Sequence, residues 1–171
     1  MKKNEFTLRR MTTLALLTAV EIVLSRFLSI NAWNIKIGFS FVPIAAAAML
    51  FGPVDAGIVA ALGDLIGALL FPIGTYFPGF TLTAFLTGCV FGLFLHAKRG
   101  WPRYIAATAI NQLVLSLLLN TLWLSILYGS PYWPLLLSRI VQCVVLSVLQ
   151  LVCVPVVAEA VDRIGKEFFT A

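Results

Sequence analysis

Charge is what this chain has least of. Across 171 residues only 11% are Asp, Glu, Lys or Arg, 61% are hydrophobic, and the mean hydropathy is +1.01. Soluble domains run near about 45–50% apolar and about 25% charged. A water-soluble globule is therefore excluded, and the solvent is lipid. Histidine is almost missing too: His96, at a helix end beside Lys98, is the one copy. There is no Ser-His-Asp set and no pair of carboxylates spaced for acid–base work, which argues against an enzyme. No G-x-x-x-x-G-K-[ST] occurs, so the chain has no phosphate loop with which to hydrolyse ATP. Cys89, Cys143 and Cys153 lie in apolar runs without zinc spacing and read as small buried hydrophobes. No cofactor and no metal are expected, and no ring of charges marks a channel filter.

What is present is a set of long apolar runs broken by Gly and Pro. They predict six helices, at roughly 8–29, 37–51, 53–71, 81–98, 102–128 and 132–162, and hence an all-α integral membrane protein forming one domain over residues 1–171. The second run is short for a span, and Pro155 is expected to kink the sixth. The opening MKKNEFTLRR is basic, lacks a small-residue cleavage site and reads as a retained first anchor.

The basic residues supply an orientation. Lys2, Lys3, Arg9 and Arg10 lead, Lys98, Arg99 and Arg103 sit between helices four and five, and Arg163 and Lys166 close the chain. With six spans these clusters share one side, which places both termini in the cytoplasm. The net charge of +5 is thus mostly topology and not a nucleic-acid patch, so no nucleic acid is expected as a partner. Arg26, Lys36 and Arg139 fall at or near the opposite, external face, whose loops carry no acid. That excess favours an anionic ligand.

Polar groups inside spans are costly and mark function by default. Arg139, Gln142, Leu146 and Gln150 follow at i, i+3, i+7 and i+11 and share one helix face. Lipid satisfies neither amide nor guanidinium, so that face looks into the bundle. Helix five offers Ser116, Asn120 and Trp123 on a similar stripe. Ligand contact and interhelical hydrogen bonding compete as roles for these residues. Arg26 either meets a ligand or snorkels to the interface. Asp64 lies beside a stripe of Ala56, Ala60, Gly63 and Gly67 that would admit a neighbouring helix; it either pairs with an arginine or accepts from a ligand's N–H groups. Glu21 reads as structural.

Two further stretches stand out. FPIGTYFPGFTLTAF, residues 71–85, begins as a loop with Phe71, Tyr76, Phe77 and Phe80 and no charge. It reads as a lid whose rings cover a ligand, or else as an interfacial aromatic belt. Ala15 and Ala19 make a small-xxx-small pair in helix one, a weak signal by itself, and they share a stripe with Ile22 and Arg26.

NIKIGFSFVPIAAAAMLFGPVDAGIVAALGDLIGALLFP, GTYFPGFTLTAFLTGCVFGL and LNTLWLSILYG resemble the substrate-binding S components of energy-coupling factor transporters, and among them the folate-specific members. The resemblance covers about residues 10–155. It implies a six-helix S-component fold with an external vitamin site capped by the loops after helices one, three and five. It also implies a complex with a transmembrane T component and two cytoplasmic ATPases, in which the S component topples to deliver its vitamin. Ala15 and Ala19 match the family's small-residue motif for contact with the T component. A folate or related pterin would fit between the rings, with Asn120, Gln142 or Asp64 on its polar edge and Arg26, Arg139 or Lys36 at its carboxylates. An S component for another flat vitamin, or a self-sufficient secondary transporter, are the other readings.

Overall fold

In the computed structural model the backbone is described over residues 2–31 and 36–170, and side chains over 8–30 and 36–163. Six helices result: α1 (Lys2–Arg26), α2 (Phe41–Phe51), α3 (Pro53–Leu70), α4 (Pro78–Leu95), α5 (Trp101–Tyr128) and α6 (Tyr132–Thr170). A small antiparallel hairpin, β1 (Ser29–Asn31) with β2 (Lys36–Gly38), joins α1 to α2 and pairs Ser29 with Gly38 and Ile30 with Ile37. The expected second helix therefore starts at residue 41 instead of 37, because residues 36–38 are strand. Nothing in a three-residue strand distinguishes it from the start of an apolar helix.

Four helices, α3 to α6, are long and apolar enough to cross a membrane. With 11 residues α2 extends about 16 Å, roughly half a bilayer core, too short to cross as helix alone. Its alanines explain its place: Ala45, Ala47 and Ala48 are fully buried, and their small size brings α1, α3, α4 and α6 close around it. Phe91, Leu95, Val59 and Val154 complete this core.

Helix α3 follows α2 directly, with Gly52 at φ 96° making the break and Pro53 beginning the next helix. The small residues of α3 serve two different neighbours. On one side α4 closes against it, so that a Cβ at Gly88 would stand 2.3 Å from the Ala56 carbonyl oxygen. On the other, Gly63 and Gly67 admit side chains of α1 and not its backbone: a Cβ at Gly63 would meet Glu21, and one at Gly67 would meet Arg26.

Helix α4 begins at Pro78, three residues before the expected start. Proline at a first helical position loses only an N–H that has no partner there, so the Pro-Gly pair opens this helix instead of interrupting the chain. Helix α5 is wound as a π-helix over Ile110–Leu119, a feature the apolar periodicity did not disclose. Residues five apart sit about 140° around an ordinary α-helix; i→i+5 hydrogen bonding swings them back toward one side. Helix α6 runs unbroken through Pro155 and beyond the expected end at 162.

The basic clusters meet the chain's own carbonyls and carboxylates. Arg10 pairs with Asp55, and Arg99 with Asp162, while Arg103 donates to the Phe94 carbonyl. These links gather α1, α3, α6 and the α4–α5 connection at one end of the bundle. Ala15 and Ala19 are exposed on the outer face of α1.

Candidate functional site

At the other end lies a cavity of about 570 Å³, within the range of small-molecule sites, about 300–1,000 Å³. Every helix contributes to its lining, together with β2 and the α3–α4 loop. Of the residues singled out from sequence, Arg26, Lys36, Asp64, Tyr76, Phe77, Phe80, Asn120, Arg139 and Gln142 line it. Trp123 does not. It stands behind the lining, its indole N–H donating to the Thr83 hydroxyl at 3.0 Å and its ring 5.6 Å from Phe77. Gly79 makes room for it, since a Cβ there would stand 2.6 Å from both Phe77 and Trp123. That glycine serves ring packing and not close approach of the backbone to a ligand.

The α1–α3 wall is charged and internally paired. Arg26 turns into the bundle, its side chain only 9% exposed, instead of snorkelling outward. One guanidinium nitrogen donates to the Asp64 carbonyl at 3.1 Å and lies 3.6 Å from the Asp64 carboxylate. The second Asp64 oxygen accepts from the Thr81 hydroxyl at 2.9 Å, and Thr81 is 3.2 Å from the Tyr76 hydroxyl. A chain of polar contacts thus runs from α1 through α3 to the loop. Glu21, expected to be structural, also lines the cavity, buried, with Oε2 lacking a hydrogen-bond partner among the described residues. Lys36 sits within electrostatic reach of Arg26, Asp64 and Glu21; burial foremost, and then the Arg26 charge, hold its ammonium pKa below the ordinary 10.5.

The α5–α6 wall differs. Arg139, Gln142, Leu146 and Gln150 are all buried and all line the cavity, as a shared helix face requires. Gln142 donates to the Lys36 carbonyl at 2.9 Å, which fixes β2 to α6. Arg139 reaches the Ser116 carbonyl at 3.4 Å, but its Nε has no partner and no carboxylate stands within ion-pair distance among the described residues. From the π-wound part of α5, Asn111 and Gln112 add two more buried amides. Among the described residues, neither polar atom of the Asn111 side chain has a hydrogen-bond partner, nor have the amide oxygens of Gln112, Asn120, Gln142 and Gln150. A buried unsatisfied polar atom costs about 1–3 kcal/mol, so a wall carrying this many is built to be completed by something else. The signal that would have found Asn111 was available: two adjacent amides inside a span.

The uncharged loop covers this cavity. Ile73, Gly74, Thr75, Tyr76 and Phe77 line it, while Ile73 and Tyr76 keep 48% and 39% of their surface exposed. Phe77 meets Phe80 edge-on at 6.2 Å, and Phe71 packs edge-on to Phe27 at 5.1 Å. The loop is therefore held by rings and one hydroxyl contact, with no ion pair of its own among the described residues.

The chain has relatives. Residues 9–158 match the family described as the ECF transporter substrate-specific component. It is 39% identical over 155 residues to a protein of Clostridium novyi named folate transporter FolT, covering 90% of each. It is 34% identical over 140 residues to the folate transporter FolT of Leuconostoc mesenteroides, covering 80% of this chain and 75% of that one. Among solved structures, FolT bound with folic acid superimposes with a TM-score of 0.83 at 36% identity, over 88% of this chain and 92% of the other. The S component of a bacterial ECF transporter matches at 0.52 and 25% identity, over 96% and 97%.

Proposed function

The chain belongs to the substrate-specific components of ECF transporters, and on that premise we propose that it captures folate in the cavity between α1, α3, α5 and α6 and imports it as one subunit of an ATP-driven complex. The single observation that carries the reading is the α5–α6 wall. An arginine without a counter-ion and a row of unbonded amides, among the described residues, line one cavity with Phe77 and Phe80, which together fit a flat, hydrogen-bonding heterocycle joined to an anionic tail. The relatives named folate transporter, and the similar fold solved with folic acid, support the same ligand.

Roles follow from chemistry. Arg139 neutralises a ligand carboxylate, with Lys36 and Arg26 adding positive field from the other wall. Asn120 and Gln142 exchange hydrogen bonds with the heterocycle, and Asp64 holds Arg26 and Thr81 in place. Phe77, Phe80 and Tyr76 supply stacking faces and close the mouth, while Trp123 braces Phe77 from behind. The 71–80 loop is the lid, and the cavity opens outside, with both termini in the cytoplasm.

The chain is a single membrane-embedded binding domain without catalysis or cofactor, so energy comes from a T component and two ATPases. Ala15 and Ala19 are the T-component contact, a role supported by their exposure on α1. Arg26 belongs to the cavity although it shares their stripe, because Gly67 receives its side chain inside the bundle. Mass spectrometry of small molecules co-purifying with the protein tests the ligand directly; folate is expected, and another flat vitamin would replace it. Proteoliposomes containing the chain alone should bind folate without accumulating it. Accumulation driven by a proton or sodium gradient would mean secondary transport.

A further inference from the structure

We propose that Glu21 is the residue that reads the N–H donors of the ligand's heterocycle, an inference that rests on the folate reading. Two carboxylates line the charged wall, and the structure divides them. Both oxygens of Asp64 are engaged, one facing Arg26 at 3.6 Å and the other accepting from Thr81 at 2.9 Å. Glu21 is 4% exposed and lines the cavity, and its Oε2, buried against Gly63, has no hydrogen-bond partner among the described residues. Its position is built and not accidental: a Cβ at Gly63 would stand 1.8 Å from Oε2, so the side chain occupies a place that only glycine leaves open. The groups facing it are Arg26 and Ser25 from α1, Lys36 from β2 and Asp64 from α3.

A buried carboxylate oxygen without a donor is costly until one arrives. A pterin carries such donors on one edge, the 2-amino group and an adjacent ring N–H, and a carboxylate accepts them where an amide side chain offers one weaker acceptor. Glu21 then fixes which edge of the ring enters, while Arg139 on the facing wall attracts the anionic tail.

The experiment titrates purified wild type and Glu21→Gln with folate, with pteroate, which lacks the glutamate, and with 2-desaminofolate. If wild type fails to bind folate, the functional reading itself falls. Given binding, wild type should hold 2-desaminofolate at least about tenfold more weakly than folate. Glu21→Gln should weaken folate and pteroate alike by about ten- to hundredfold and 2-desaminofolate, which keeps only the ring N–H, by clearly less. Equal loss for all three ligands, or no loss for any, overturns the proposal and leaves Glu21 as packing or as balance for Lys36. Should Glu21→Gln not fold, Glu21→Asp keeps the charge and withdraws the oxygen by one carbon, and the same pattern of losses decides. Wild type binding folate and 2-desaminofolate equally overturns it without any variant.

Discussion

The two ends of the bundle treat charge in opposite ways. At the end holding the termini, Arg10 pairs with Asp55, Arg99 with Asp162, and Arg103 with a helix carbonyl, so the chain satisfies itself. At the cavity end the pairing stops halfway. Arg26 and Asp64 meet, but Arg139, Glu21 and the amides of α5 and α6 retain atoms unbonded among the described residues. One end is finished by its own residues; at the other, unbonded polar atoms line a cavity. The difference locates function better than exposure or hydrophobicity does, since both ends are equally parts of an apolar bundle.

The largest effect should come from a place that belongs to neither end. Leucine at both Ala15 and Ala19 is expected to abolish ATP-driven uptake in the assembled complex while folate affinity stays within about twofold, because both residues are exposed and neither lines the cavity. Loss of binding as well would place the pair in internal packing. Next comes Arg26→Gln, which leaves the half-buried Asp64 carboxylate without its cation, though still bonded to Thr81. Thermal unfolding in detergent should show a loss of roughly 2 kcal/mol, and binding should fall with it. Arg139→Gln sharpens the contrast: binding should weaken by about 1.5–3 kcal/mol with no loss of stability, since no carboxylate depends on Arg139. At the closed end, Arg10→Gln should cost less than about 1 kcal/mol, because the Arg10 side chain is 46% exposed and its ion pair is screened. A larger cost there than at Arg26 would break the comparison.

The smallest effect concerns pH. Burial holds Lys36 below its ordinary pKa of 10.5 in the unliganded protein. A bound anion draws that pKa back up, so binding takes up a proton once Lys36 has lost its own. Folate affinity should therefore be flat below the depressed pKa and fall as pH rises through it. The stability of the empty protein has the opposite sign: the unfolded chain holds more protons between the depressed value and 10.5, so stability rises with pH in that window. Lys36→Gln should remove both slopes in titrations across alkaline pH.

Much of this was legible in the sequence, and the exceptions have physical causes. Six apolar runs fixed the helices, and the i, i+3, i+7, i+11 spacing put Arg139, Gln142, Leu146 and Gln150 on one inward face, because lipid enforces the choice. The β1–β2 hairpin was not legible, since three-residue strands carry no periodicity. Nor was the π-winding of α5, whose residues keep the composition of any apolar helix. That Glu21, read as structural, also lines the cavity was not legible, because its placement depends on the space at Gly63, which is a property of how α1 and α3 pack. Trp123 was placed one layer too far inward, since a shared stripe gives direction but not which side chain stands in front.

Hydrogen exchange with and without folate compares the two ends in one measurement. The account predicts ligand-dependent protection across residues 72–80 and across Ile110–Leu119, with residues 96–103 and the Arg10–Asp55 region unchanged. No protection at the cavity end in protein shown to bind folate, or equal protection at both ends, would contradict it.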